Sequence, residues 1–256
     1  MPTTPARRFS ETAAGYAATM APSLRPIAES VVRRARLQPG ERVLDLGTGT
    51  GSAAAAGRGE GREVIGLDVA PGMLEIARAE VAGVRFEEMD FAALRFEDAS
   101  IDVVLSAHAL LFATDQAAVL AEWLRVTRPG GRLSLSVPGP SQLTPTAIYR
   151  EIYERWGIDT SDRYPTRESL AHLAASAGWT DVETDADPST AIVLPDDAAF
   201  RRWRSIGSRG VATEDLTADQ HRALTDEMLA ATPRTADSAF RIPFGAIYLT
   251  ARRSDR

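Results

Sequence analysis

Val43-Leu44-Asp45-Leu46-Gly47-Thr48-Gly49-Thr50-Gly51 decides the fold. Arg42 to Leu46 reads as a strand of the buried type, and glycines follow at every second position. Glycines at a strand-to-helix turn let the main chain bend sharply. They also let a ligand touch backbone where a Cβ would collide. In an open parallel sheet such a turn lies at the carboxyl edge, beside the switch point where ligands bind.

Outward from this turn the chain alternates strand and helix. A helix runs through about Arg58, a strand spans Glu63 to Asp68, and a helix spans Pro71 to Val81 with proline near its first turn. Strands follow at Val84 to Glu88 and Ile101 to Ser106, a helix at about Asp115 to Val126, then a Pro129-Gly130-Gly131 turn and a strand at Arg132 to Val137. This rhythm implies parallel pairing with right-handed crossovers, hence a three-layer α/β fold. Before the turn, residues 9–21 and 22–37 read as two helices, the second opened by Pro22 and Pro26.

After Val137 the rhythm breaks. Residues 138–165 carry four prolines and the aromatics Tyr149, Tyr153, Trp156 and Tyr164. Thr166 to Ala177 reads as a helix capped by Thr166 and stopped at Gly178. Trp179 to Thr184 and Ile192 to Leu194 read as strand pieces, residues 196–231 as helical, and Ile242 to Ala251 as one last strand. The organisation expected is one domain over residues 1–256. A helical cap covers 1–38, a cofactor-binding core 40–137, and substrate-lid insertions 138–165 and 195–238.

Composition narrows the chemistry. The 256 residues carry 29 basic and 35 acidic side chains, a net charge of −6, against the basic face a nucleic-acid binder needs. The chain has no Cys, Lys or Asn. That removes disulfides, thiolate metal sites, cysteine nucleophiles, Schiff bases and the P-loop lysine. His108, His172 and His221 are scattered, so no metal is expected. No apolar run approaches the ~20 residues that span a bilayer, and Met1 to Ser10 lacks a signal-type apolar segment; a cytoplasmic protein without membrane partner is the expectation.

Two ligands compete for the glycine turn. A dinucleotide fingerprint wants G-x-G-x-x-G, but here the third Gly comes one place early and Ser52 holds the sixth position. Asp45, two residues before the first Gly, repels a pyrophosphate and attracts an ammonium group. S-adenosylmethionine carries an ammonium and a sulfonium and no phosphate, so it fits better. Asp68, ending the second strand, can accept from both ribose hydroxyls, a feature shared with NAD proteins. Asp90 can accept from the adenine amino group, the Phe91 N–H can donate to a ring nitrogen, and Met73 can pack on an adenine face.

The succession VLDLGTGTG (43–51), VIGLDVAPGML (64–74), MDFAALRF (89–96), IDVVLSAHALLF (101–112) and RVTRPGGRLSLS (125–136) resembles the class I S-adenosylmethionine-dependent methyltransferases. Within that family it is similar to the small-molecule group of quinone C-methylases and natural-product tailoring enzymes of secondary metabolism. The resemblance covers about residues 40–137. It implies a Rossmann-like, seven-stranded, mostly parallel sheet in the order 3-2-1-4-5-7-6 with strand 7 antiparallel, and helical lid insertions. It implies cofactor contacts from Asp45, Gly47, Gly49, Asp68, Met73, Asp90, Phe91 and Ser106, and Thr48, Gly51 and Val69 join that set. Phe9-Ser-Glu-Thr-Ala-Ala-Gly-Tyr16 looks like the family's segment that folds over the methionine end of the cofactor.

The expected reaction is in-line methyl transfer to an O, N or C atom of a small-molecule acceptor, carried out by a monomer or homodimer. Catalysis is mainly positioning. His108, just past the fourth strand, is the candidate base; it can equally cap or pack. Phe9, Tyr16, His108, Tyr149, Tyr153 and Trp156 are the candidate substrate contacts, although the last three form an apolar helix face whether they line a pocket or cover the sheet. Ser106-Ala107-His108 stands where amino-methylating DNA enzymes carry an N-P-P-Y-type signature. Alternative readings are an S-adenosylmethionine binder that catalyses a cyclisation or acts as a sensor, and an NAD-dependent reductase.

Overall fold

A computed structural model describes residues 5–140, 144–159, 165–206 and 216–255. Seven strands form the central sheet. In chain order they are β1 (Arg42–Leu46), β2 (Glu63–Asp68), β3 (Arg85–Glu88), β4 (Ile101–Ala107), β5 (Thr127–Pro138), β6 (Thr180–Asp187) and, last, β9 (Ala246–Arg252). The spatial order is β3-β2-β1-β4-β5-β9-β6, with β9 antiparallel to both neighbours and the other pairs parallel. This is the expected order, the seventh core strand being β9 because a separate two-stranded sheet intervenes. That small sheet pairs β7 (Ala191–Leu194) with β8 (Phe240–Pro243).

The helices explain why the strands read as apolar runs. α2 (Ser52–Gly57), α3 (Pro71–Glu80), α4 (Gln116–Val126) and α7 (Arg167–Ser176) cover the sheet, and β1 and β4 are buried along most of their length. One core layer collects Leu46, Leu67, Leu120, Trp123 and Leu249; the opposite layer collects Ile27, Val31, Val43, Leu105 and Tyr248. The outer strand β6 carries Asp181, Glu183, Asp185 and Asp187, charges that discourage a further strand from pairing there. Thr166 caps α7 as expected, and Gly178 stops it at φ +98°.

Three sequence expectations change. Residues 9–21 and 22–37 are one helix, α1 (Pro5–Ala35), continuous through Pro22 and Pro26. The two prolines forgo two intrahelical bonds, but Ile27, Val31 and Ala35 remain wholly buried on the sheet, and tertiary packing outweighs the break. The strand expected from Arg132 begins at Thr127, through the Pro129-Gly130-Gly131 segment. The single strand expected from Ile242 to Ala251 is two, β8 and β9, separated at Phe244-Gly245.

Residues beyond β5 build a cover with its own core. α5 (Pro145–Ile148), α6 (Arg150–Arg155), α8 (Asp197–Ile206), α9 (Ala218–Ala231) and the small sheet pack Tyr153, Phe200, Leu224, Met228 and Phe240 together. Parts of the lid expected at 138–165 and 195–238, Tyr164 among them, lie outside the described residues. At the opposite end of the sheet, Arg132 holds both oxygens of buried Glu41 at 2.8 Å and donates to the Ala35 carbonyl at 2.8 Å. The end of α1 is thereby fastened to the sheet by a charged, hydrogen-bonded pair.

Candidate active site

One cavity sits at the carboxyl edge of the sheet. Its floor is Gly47 and Gly49 after β1, Asp68 and Val69 at the end of β2, and Ala107, His108 and Ala109 at the end of β4. α1 roofs it with Phe9, Tyr16, Met20 and Leu24. The cover closes the far side with Pro145, Thr146, Ile192, Trp203, Ile206 and Phe244.

The floor is shaped by left-handed glycines with different reasons to be glycine. Gly47 has φ +69°, and a Cβ on it would meet the Ala109 Cβ at 2.3 Å. Gly49 has φ +54° and faces open space, so a side chain there would occupy room a ligand can use. Gly51, at φ +86°, faces Phe86 and Val81 rather than the cavity.

Two carboxylates hold this turn. Asp68 accepts from the Gly49 N–H and the Ala70 N–H, both at 2.9 Å, and lines the cavity wall. Asp45 accepts from Thr48 Oγ1 at 2.6 Å and from the Ala54 N–H at 3.0 Å; its Oδ1 is sealed with no partner among the described residues. Burial pushes the Asp45 pKa up to about 6, with the charge of Asp68 adding a smaller push. Burial also raises Asp68. A desolvated carboxylate on the cavity wall, Asp68, with a second, Asp45, buried inside the turn, favours a cationic guest and opposes a phosphate. Burial, helped by Asp68, lifts the Tyr16 pKa to about 12, so its hydroxyl stays a donor.

At the next corner, Trp123 fixes Phe91. The indole Nε1 donates to the Phe91 carbonyl at 2.9 Å, and the rings meet edge to face at 6.0 Å between centroids. Met73 is buried beside Ala13 and Ala70, with Phe9 and Tyr16 packed against it.

His108 sits at φ +58°, a left-handed conformation uncommon outside glycine. Its N–H donates to the Ser136 carbonyl at 3.0 Å, and its Nδ1 lies 2.9 Å from Ser136 Oγ. The Nε2 is closed off from solvent and has no partner among the described residues. Burial lowers its pKa to about 4, which keeps the imidazole neutral.

The cavity thus gathers Phe9, Tyr16, Gly47, Gly49, Asp68, Val69, Met73, Phe91 and His108. Several expected contacts stand off its wall. Asp45 and Thr48 bond to each other inside the turn, and Gly51 packs against β3 and α3. Asp90 is exposed and accepts from the Ala92 N–H at 2.8 Å, an Asx turn. Ser106 is fully buried and donates to the Leu46 carbonyl at 3.1 Å, tying β4 to β1. Tyr149, Tyr153 and Trp156 belong to the cover's core: their polar ends meet Thr232 at 2.7 Å, Arg204 at 3.3 Å and Glu227 at 2.7 Å.

Met20, Leu24, Pro145, Thr146, Ile192, Trp203, Ile206 and Phe244 escaped sequence reading because separate segments supply them. A signal existed for α1: Phe9, Tyr16, Met20 and Leu24 recur at intervals of seven, four and four, one face of a single helix. Splitting that helix at Pro22 hid Leu24.

Residues 44–135 match the family described as "Methyltransferase domain". Malonyl-acyl-carrier-protein O-methyltransferase of Serratia marcescens is 37% identical over 159 residues, 62% of this chain and 60% of that protein. A demethylmenaquinone methyltransferase of Thermus thermophilus is 37% identical over 163 residues, 54% of this chain and 74% of the relative. The chain belongs to the class I S-adenosylmethionine-dependent methyltransferases. This methyltransferase takes S-adenosylmethionine as cofactor, and the reading of the turn as a dinucleotide site falls. Its fold extends to a Haloferax volcanii methyltransferase solved with the Trm112 activator, at 26% identity and a TM-score of 0.61 over 96% of this chain and 97% of that one. The chain spans 60% of the Serratia relative's length, so that protein's substrate does not transfer with the family.

Proposed function

We propose that this methyltransferase moves a methyl group from S-adenosylmethionine to a small-molecule acceptor lodged in the apolar half of its cavity. One observation carries the reading: a glycine-floored, carboxylate-flanked end and an aromatic, aliphatic end are continuous in one chamber, with His108 and Ala109 between them. The cofactor supplies an electrophilic methyl on a sulfonium leaving group.

The residues present fit that cofactor. The room above Gly49 admits a backbone-hugging ligand, Asp68 has lone pairs for two ribose hydroxyls, and Met73 and Phe91 offer apolar surface to adenine. The charge of Asp68, which helps raise the Asp45 pKa, is offset by a cation in the cavity. Around the acceptor, Trp203, Ile206, Phe244 and the α1 face exclude water and restrict orientation, which suffices to accelerate a displacement whose leaving group is already activated. The reading extends to a cytoplasmic enzyme of secondary metabolism, a monomer or homodimer acting without nucleic acid or membrane. The net charge of −6 is in keeping with the lack of a nucleic-acid partner.

The test is calorimetric titration with S-adenosylhomocysteine, followed by incubation with methyl-labelled cofactor and small-molecule extracts. Saturable binding and label in an extractable small molecule are expected. Binding without any methyl acceptor would favour a cyclase or sensor; no binding would refute the assignment.

A further inference from the structure

Resting on the methyl-transfer reading, we propose that the indole N–H of Trp203 recognises a carbonyl oxygen on an otherwise apolar acceptor, and so fixes which acceptor atom meets the cofactor. A buried indole usually finds a partner for its N–H, and three of the four tryptophans do. Trp123 donates to the Phe91 carbonyl at 2.9 Å, Trp179 to the Leu120 carbonyl at 3.0 Å, and Trp156 to Glu227 at 2.7 Å. Trp203 is only 5% exposed, yet its N–H has no partner among the described residues. That nitrogen is not sealed from solvent either, whereas Arg204 Nε and His108 Nε2 are. The space that Trp203 borders is the chamber. The one indole left unpaired among the described residues is thus the one on the chamber wall, and a ligand oxygen supplies the missing bond.

The surroundings define the oxygen. Beside Trp203 the cover lines the chamber with hydrocarbon at Pro145, Ile192, Ile206 and Phe244, and with the hydroxyl of Thr146. An indole N–H donates and cannot accept, so its ligand atom must carry a lone pair. The Arg204 guanidinium lies 5.7 Å from the Trp203 ring centroid and has no acid partner among the described residues. Its positive charge favours the negative end of a carbonyl dipole over a second hydrogen-bond donor. The ring is also held in place: Phe200, one turn back on α8, meets it edge to face at 5.3 Å between centroids. The cover closes the side of the chamber away from the glycine floor. A carbonyl tethered there leaves the other end of the molecule turned to the cofactor.

The test uses the full chain saturated with S-adenosylhomocysteine and two probes of one shape, 1-tetralone and tetralin, which differ in the carbonyl. By calorimetry tetralone should bind about fivefold tighter than tetralin. In Trp203→Phe, which keeps an aromatic ring and loses the N–H, tetralone should weaken to the level of tetralin while tetralin is unchanged. Nitrogen-15 correlation spectra of the wild type give a second readout. One indole N–H signal should move downfield with tetralone and not with tetralin, and it should be the signal missing from Trp203→Phe. A preference that survives Trp203→Phe, equal losses for both probes, no binding of either, or no indole signal that follows tetralone would overturn the proposal. If Trp203→Phe fails to fold, the wild-type affinities and spectra still decide. Failure of S-adenosylhomocysteine itself to bind would instead refute the methyl-transfer reading.

Discussion

Ser136 holds His108 twice, through its carbonyl to the histidine N–H at 3.0 Å and through Oγ to Nδ1 at 2.9 Å. The second bond fixes the imidazole plane and decides which way Nε2 points. Ser136→Ala removes it and leaves the backbone bond. One hydrogen bond of about 1 kcal/mol corresponds to about a fivefold loss. That loss is expected in the folding equilibrium read by urea unfolding, with S-adenosylhomocysteine affinity unchanged. Unchanged stability would show that the Oγ–Nδ1 bond does not hold the ring.

Replacing Asp68 with alanine strips the acceptor from the Gly49 and Ala70 N–H groups as well as from the proposed ribose contact. S-adenosylhomocysteine binding should weaken by about 1–3 kcal/mol, read by calorimetry. Unchanged affinity would remove Asp68 from the ribose site.

Gly47 and Gly49 separate stability from binding. Gly47→Ala faces both a positive φ and an Ala109 contact at 2.3 Å, and should cost about 2–4 kcal/mol in urea unfolding. Gly49→Ala meets nothing within 4 Å and should cost only about 1 kcal/mol of stability, yet weaken S-adenosylhomocysteine by more than that. Equal effects of the two on binding would contradict the placement of the ligand over Gly49.

Acid should penalise the wild type through His108. Its pKa is about 4 folded against 6.5 for the free side chain, so between these values the unfolded chain binds more protons. The contribution is intact above pH 6.5 and lost progressively down to pH 4, by up to about 3 kcal/mol. Asp45, raised from 3.8 to about 6, acts oppositely and gains stability as pH falls through the same range. His108→Asn should therefore become more stable relative to wild type on acidification from pH 6.5 to 4. Parallel stability curves for the two proteins would show that His108 is not buried neutral.

The cofactor end was legible because it is built from consecutive residues. A buried strand, a glycine turn and a carboxylate ending the next strand leave local signatures, and Gly47, Gly49 and Asp68 do line one wall. The far half of the cavity was legible only at Phe9, Tyr16 and His108, because α1, α5, β7, α8 and the β8–β9 corner meet only in space. Spacing on α6 showed that Tyr149, Tyr153 and Trp156 share a buried side. Their partners Thr232, Arg204 and Glu227 lie on or beside α8 and α9, and no local pattern reveals that pairing. Pro22 and Pro26 signalled a break that burial of Ile27 and Val31 overrode. Conversely, Pro243 and Gly245 did mark the break between β8 and β9, inside an apolar run that reads as one strand.

A crystal structure of the protein soaked with S-adenosylhomocysteine addresses the central assignment most directly. The account predicts the ribose hydroxyls on the Asp68 carboxylate, main chain of Gly49 against the ligand, and the sulfur turned toward His108 and the aromatic chamber. Adenosine bound elsewhere, or a sulfur facing away from that chamber, would contradict it.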